Sequence, residues 1–160
     1  MIFYRDRIVL TDGPLWLTED LVISGTIPDL PGFQPVEEFY RPDGTGQLRR
    51  DPMAHEQFMA VREAGGIVLF SGCSHKGIVA AVEYARKLFP GEKLRGVAAG
   101  MHLYSADRTT CREIADRLAA EEPEAVLPFH CTGLEAICVM KAVLGERCVL
   151  TGTGGEFVFE

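Results

Sequence analysis

Three histidines each follow an apolar run of the kind that forms a buried strand: His75, His102 and His130. Cys73 lies just before the first of them. If the three runs are parallel strands of one sheet, their carboxyl ends lie along the same edge, where open α/β sheets bind ligands. Neutral imidazole and thiolate sulfur are the donors that zinc and related divalent transition metals take readily. The sequence therefore predicts a metal site made by Cys73, His75, His102 and His130.

The fourth histidine, His55, precedes the predicted hairpin "EQFMAVREAGGIVLFSG". If the turn is centred on Gly65, the antiparallel register brings His55 back level with about His75. We therefore expect His55 to lie on the same rim, meaning the edge formed by the carboxyl ends of the strands. There it would contact the metal ligands rather than the metal.

A metal with an incomplete protein shell keeps a bound water whose pKa falls towards ~7, so hydrolysis is the natural chemistry of such a site. The segments "CSHKG" and "HCTG" end strands at glycines and helix starts, where backbone N–H groups are free to bind an anion. The residues predicted to bind a phosphate or another anionic group of a small-molecule substrate are Ser74, Lys76, Thr132 and Gly133.

The elements that position these residues follow from hydrophobic periodicity. The first part predicts a small antiparallel meander with strands at 8–10 and 21–23, a Pro- and Gly-rich long loop over 26–50, and the hairpin. Strands are then predicted over 67–71, 94–99 and 125–128, helices over 76–88, 109–120 and 133–144, and two short strands around 151–155. Alternating strands and helices predict an α/β fold with right-handed crossovers.

Composition limits the class of protein. A chain of 160 residues with 47% hydrophobic content is expected to form a single domain over 1–160. A net charge of -7 disfavours nucleic acid and anionic lipid as partners. No apolar stretch is long enough for a membrane span, and we expect a cytoplasmic protein. The five cysteines are odd in number and show no CxxC spacing, so reduced thiols are expected.

The segments "GGIVLFSGCSHKGI", "GMHL" and "HCTG", with "DPMAHEQ" ahead of the hairpin, resemble metallo-β-lactamase-fold hydrolases of the dihydropterin ribofuranosyl-aminobenzene phosphate synthase type. The resemblance implies an αββα sandwich with zinc or a related ion at the rim between its two sheets. It also implies that Cys73 stands where the wider superfamily has a bridging Asp, and that His130 matches the last histidine ligand. His75 and His102 match residues of this subgroup.

The sequence departs from that pattern in its first half. The HxHxDH segment, which supplies most ligands in the superfamily, is absent from the 160 residues. Thr26 stands where many relatives have a histidine, and His55 replaces an acidic position. We therefore expect the C-terminal half of the sandwich, whose apolar sheet face is covered by an N-terminal half from another chain, by self-association or by an upstream segment.

Three functions remain open from the sequence. The first is a metal-dependent hydrolase of a phosphate ester or related bond that works when its N-terminal half is present. The second is a non-catalytic subunit with a mononuclear Cys/His metal or ligand site. The third is a cysteine-dependent enzyme, using Cys73 with His75 as a nucleophile pair or Cys131 at a helix start. A phosphatase loop at Cys131 is disfavoured, because the position that needs arginine holds Ile137.

Overall fold

A mixed sheet lies at the centre of the computed structural model, which describes residues 8–159. Within these residues the sheet has six strands in the order β1-β2-β5-β6-β7-β8, and β3 and β4 form a separate hairpin. The strands are β1 Leu15–Trp16, β2 Leu21–Ile23, β3 Phe39–Pro42, β4 Leu48–Asp51, β5 Phe58–Glu63, β6 Gly66–Ser71, β7 Leu94–Gly100 and β8 Ala125–Phe129. The helices are α1 Ile78–Leu88, α2 Arg108–Ala120 and α3 Leu134–Leu144.

The predicted hairpin and the strand–helix repeats are confirmed. β5 pairs antiparallel with β6 through the turn at Gly65 and Gly66, and β6-β7 and β7-β8 are parallel. Ser71 pairs with Ala99, and Ala99 pairs with Pro128, so the three parallel strands end level with one another. Their ends do therefore share one edge of the sheet.

The core lies between one sheet face and the three helices. α2 buries residues at spacings of three and four, which place them on one helical face: Cys111, Ile114, Ala115 and Leu118. The helix side of the sheet contributes fully or almost fully buried residues: Val22, Phe58, Ala60, Ile67, Leu69, Val97, Ala99 and Val126. Burial on this face fixes the strand register, because a slip by one residue would turn these side chains outward.

The opposite face of the sheet is partly open. Strand alternation directs Met59, Phe70 and Ala98, which are register partners, away from the helices. The Phe70 side chain is 40% exposed, and Phe129 at the end of β8 is 37% exposed. Phe159 covers a part of this face, since a Cβ built on Gly96 would lie 2.3 Å from its ring. This partly open apolar face is the feature expected for half of a two-sheet sandwich.

Three of the secondary-structure predictions were wrong. Residues 8–10 and the described residues on either side of 151–155 do not form strands; β1 lies at Leu15–Trp16 instead, and Cys148 forms an isolated bridge with Val126 of the sheet. The segment 26–50 is not a plain loop, because it contains β3 and most of β4. Its glycines signal a turn rather than irregular chain: Gly44 and Gly46 have φ of 90° and 89° between the two strands.

Within residues 8–159, no helix combines the length and the apolar character that a bilayer span requires.

Candidate metal centre

The donor atoms of three residues at the rim are close together. Cys73 Sγ lies 3.5 Å from His130 Nδ1, and the candidate ligand atoms of Cys73, His130 and Cys131 all lie within 4.8 Å of one another. Within the described part of the chain, these three side chains form a group of donors that could hold one metal ion. Two of the four predicted ligands, Cys73 and His130, are therefore brought together.

Left-handed backbone turns direct these side chains. Ser74, His102 and His130 have φ of 55°, 47° and 53°, and one of them follows each parallel strand. Non-glycine residues seldom adopt this conformation, which costs of order 1–3 kcal/mol where surrounding structure enforces it. Such strain is concentrated at functional sites, and here it recurs at three topologically equivalent positions.

His75 and His102 form a second pair beside this group and are not members of it. Their ring centroids lie 4.6 Å apart in an edge-to-face contact, and Phe39 packs on both rings at 4.8 and 5.4 Å. Each imidazole binds a carboxylate: His75 Nδ1 lies 2.9 Å from Glu56 Oε1, and His102 Nε2 lies 2.9 Å from Glu37 Oε2. His102 Nδ1 is buried without a hydrogen-bond partner among the described residues.

Glu56 fixes the loop after β6. Its carboxylate accepts hydrogen bonds from the backbone N–H groups of His75 and Lys76, both at 2.6 Å, in addition to the imidazole contact. These N–H groups were predicted to bind a substrate anion, and in this structure an internal carboxylate accepts from them. The Glu56 side chain is 9% exposed, so its charge is compensated by these donors rather than by water.

The other predicted anion-binding groups also have internal partners. Ser74 Oγ donates to Ser71 Oγ at 2.9 Å, and Thr132 Oγ1 accepts from Met101 N–H at 3.1 Å while donating to the Phe129 carbonyl at 2.8 Å. Lys76 Nζ pairs with Asp29 and lies 3.4 Å from the carbonyl oxygen of Pro52. Gly133 has φ of 82°, and a Cβ there would lie 2.7 Å from Tyr104 Cα. The anion-binding role of all four stays a prediction.

His55 has an exposed side chain, and its neighbour Glu56 is the residue that contacts the rim. A role for His55 in supporting the metal ligands stays a prediction. Thr26 donates its hydroxyl to the carbonyl oxygen of Ala54 at 2.7 Å, which ties the segment before β5 to the end of β2.

Sequence reasoning missed Glu37, Glu56 and the position of Cys131. Glu37 lies in the segment assigned to a loop, and it contacts His102, Tyr104 and Ser105 from more than 60 residues away. Its carboxyl has a pKa below its ordinary value, because Ser105 and then His102 hydrogen-bond to the charged form. The sequence signal for Glu56 was its place in "DPMAHEQ", directly after His55, which the sequence analysis assigned to the site.

The thiol of Cys73 is not activated by its surroundings. Burial first, and then the neighbouring Cys131, raise its pKa above the ordinary thiol value. A nucleophilic thiolate requires the opposite shift, as a helix N-terminus or a nearby cation produces. The raised pKa therefore gives no support to Cys73 and His75 as a thiol/imidazole nucleophile pair.

A cavity of about 360 Å³ opens beside His75. Its lining combines acidic, basic and aromatic side chains from three segments, including Asp29, Glu37, Phe39, Arg50, His75 and Lys76. The volume lies in the range of small-molecule sites.

Comparison with known proteins agrees with this fold. No family model matches the sequence. The chain is 26% identical over 133 residues to an uncharacterized protein of Methanocaldococcus jannaschii, covering 80% of this chain and 46% of that protein. It is 28% identical over 134 residues to 7,8-dihydropterin-6-methyl-4-(beta-D-ribofuranosyl)-aminobenzene-5'-phosphate synthase of the same organism, covering 81% and 45%.

A solved structure described as a metal-dependent hydrolase of the beta-lactamase superfamily matches with a TM-score of 0.83 and 24% identity. The match covers 96% of this chain and 58% of that chain. The chain thus spans about half the length of the curated relatives it matches. The resemblance and the fold class predicted from the motifs are both confirmed.

Proposed function

We propose that this chain is one half of a metal-dependent hydrolase, the half that carries Cys73 and His130 at its strand ends. The proposal starts from the fold that the chain shares with a metallo-β-lactamase-superfamily hydrolase. The substrate class is a small molecule with a phosphate ester or a related bond. The half that carries the remaining ligands comes from a second polypeptide segment, either as a separate chain, as an upstream part of a longer protein or as a second copy.

The observation that supports the proposal most directly is the 3.5 Å contact between Cys73 Sγ and His130 Nδ1. Both residues follow parallel strands, at the edge where this class of sheet binds ligands. A thiolate and a neutral imidazole are donors that zinc and neighbouring transition metals accept. The residues therefore fit a zinc-type ion, which when bound lowers the pKa of a coordinated water.

The second pair of histidines is oriented as metal-ligating or substrate-binding imidazoles usually are. In such sites one ring nitrogen contacts a carboxylate, which fixes the ring and leaves the other nitrogen for the ligand. Glu56 does this for His75 and Glu37 does it for His102. The orphaned His102 Nδ1 is the nitrogen left over by that arrangement.

The cavity beside His75 offers an aromatic face and two cationic side chains, each of which is paired with a carboxylate of the same lining. Phe39 offers an aromatic face, and Arg50 and Lys76 supply positive charge at the lining. Lys76 is held by Asp29, whose carboxyl has a pKa below its ordinary value because Lys76 hydrogen-bonds to it. A substrate phosphate would compete with the 94% exposed Asp29 for the ammonium group.

The partly open sheet face supports the need for a second half. Phe70 and Phe129 expose 40% and 37% of their surface on a sheet that is otherwise well packed. Monomeric proteins seldom expose large contiguous apolar patches without a partner. A second copy or a separate N-terminal half would cover this face and bring further donors to the rim.

The test combines three measurements on the assembled protein: metal content, the mass of the native assembly, and hydrolysis of bis(p-nitrophenyl) phosphate. We expect bound transition metal, and we expect His130→Ala to lower both metal content and hydrolysis while the circular dichroism spectrum is retained. Full metal occupancy in His130→Ala would overturn the proposed site.

A second candidate, a non-catalytic mononuclear metal-binding subunit, is favoured by one observation. The group formed by Cys73, His130 and Cys131 contains no carboxylate to act as a general base. One ion per chain without hydrolysis in any assembled state would support this candidate over the hydrolase.

A further inference from the structure

We propose that Cys131 is a third metal donor, so that this chain by itself binds one thiophilic ion through Cys73, His130 and Cys131. The inference rests on the proposed function, because it concerns the same rim, but it names a ligand beyond the four that the sequence predicted. The relevant ligand is a soft or borderline divalent cation such as Zn²⁺ or Cd²⁺.

The spacing of the donors fits tetrahedral coordination. With metal–sulfur bonds of about 2.3 Å and metal–nitrogen bonds of about 2.0–2.1 Å, tetrahedral angles place sulfur and nitrogen ligands roughly 3.6 Å apart and two sulfurs roughly 3.8 Å apart. The observed separation of Cys73 Sγ from His130 Nδ1 is 3.5 Å. The remaining donor–donor separations in the group are at most 4.8 Å. A small side-chain adjustment would therefore bring all three donor atoms to tetrahedral spacing.

The backbone holds Cys131 towards this group. Cys131 Sγ lies 3.7 Å from the carbonyl oxygen of Cys73, and the Cys131 carbonyl accepts a hydrogen bond from Leu103 N–H at 3.2 Å. A Cβ built on Gly100 would lie 3.2 Å from Cys131 Sγ, so the end of β7 provides the space that the sulfur occupies. Cys131 is therefore held on the rim by contacts to two neighbouring loops.

The three donors are accessible to an incoming ion. Cys73 and Cys131 are partly exposed and His130 is exposed, whereas the structural thiols Cys111 and Cys148 are buried. A set of two sulfurs and one nitrogen selects zinc-like or softer ions over magnesium and calcium, which prefer oxygen ligands. Three protein donors leave one tetrahedral position open, which is the arrangement of catalytic rather than structural zinc sites.

The test is titration of the reduced chain with Co²⁺ as a spectroscopic substitute for zinc. We expect thiolate-to-cobalt charge-transfer absorption from two sulfurs. Cys131→Ser should remove about half of that band and weaken binding by at least the ~10-fold that loss of a supporting partner costs. Cys138→Ser is the matched control, because Cys138 is an exposed cysteine on α3 outside the group, and it should leave both readings unchanged.

X-ray absorption of the zinc-loaded wild-type protein counts the sulfur ligands directly and needs no variant. Two sulfurs at about 2.3 Å support the inference, and a single sulfur overturns it. Cys131→Ser that keeps the full cobalt band and affinity also overturns it. Neither negative result touches the proposed function, which is decided by His130→Ala in the assembled protein.

Discussion

The Sγ atom of Cys73 lies 3.5 Å from Nδ1 of His130, although 57 residues separate them in the sequence. Cys73 follows β6 and His130 follows β8, so the contact passes over the end of the strand between them, β7. That strand ends at Gly100, where a Cβ would lie 2.5 Å from the Gly72 carbonyl oxygen. The absence of a side chain at this position lets the two loops meet.

Gly100→Ala is therefore expected to separate the two loops. The added methyl group would clash with backbone, which cannot move as a flexible side chain can, and overpacking of this kind costs roughly 1–3 kcal/mol. We expect a lower urea midpoint and weaker Co²⁺ binding. Gly72→Ala is the control, because a Cβ there meets nothing within 4 Å. Equal urea midpoints and equal Co²⁺ affinities in the two variants would contradict the close approach of Gly100 to the Gly72 carbonyl oxygen.

Glu56→Ala is expected to destabilise the loop after β6. It leaves the backbone N–H groups of His75 and Lys76 without their acceptor, and an unsatisfied buried donor costs about 1–3 kcal/mol. Urea unfolding measures the change. Glu146→Ala should leave the urea midpoint nearly unchanged, because its carboxylate is fully exposed in a 3.5 Å pair with Lys141. A loss no larger than that of Glu146→Ala would show that Glu56 does not support the loop.

The start of α2 should make stability depend on pH. Asp107 caps the helix by accepting from Thr110 N–H at 2.7 Å, and this bond holds the pKa of its carboxyl below the ordinary value of 3.8. A lowered pKa in the folded state stabilises the protein above pH 3.8, and the contribution is lost as pH falls through the folded-state pKa. The urea midpoint of Asp107→Ala should thus lie below wild type at pH 7.

The same difference should shrink at acidic pH, well below 3.8, where the wild-type carboxyl is protonated. Asp107→Asn is the comparison, because its amide oxygen can cap the helix but does not titrate. A difference between wild type and Asp107→Ala that stays constant with pH would exclude a contribution from the charged cap.

Phe70→Asp is expected to weaken association at the partly open sheet face. Phe70 lies on the face away from the helices and is 40% exposed, so the aspartate would place a charge in a buried interface if a second half covers this face. Sedimentation velocity or native mass spectrometry measures the assembly. Leu150→Asp, at a residue already 61% exposed, should leave the assembly mass unchanged. An unchanged mass in Phe70→Asp as well would contradict the proposed partner at this face.

Much of the fold could be predicted from local patterns. The hairpin around Gly65 and Gly66 and the alternation of strands and helices from residue 66 onward are confirmed, because long periodic segments identify their faces without tertiary information. The errors lie in short segments. β3 and β4 hold no fully buried residue, and the apolar residues at 8–10 and on either side of 151–155 form no strand in the described structure, so hydrophobicity there was a poor guide.

The sequence by itself determined that Cys73, His75, His102 and His130 follow strand ends, since strand boundaries are local properties. Which donors meet was decided only by tertiary structure. The two loops that meet at Gly100 brought Cys131 to Cys73 and His130, and distant carboxylates, Glu37 and Glu56, took one nitrogen of each remaining imidazole. Side-chain distances of a few ångströms depend on loop conformation and on packing between residues that are 19 to 65 positions apart, and residue spacing does not encode them.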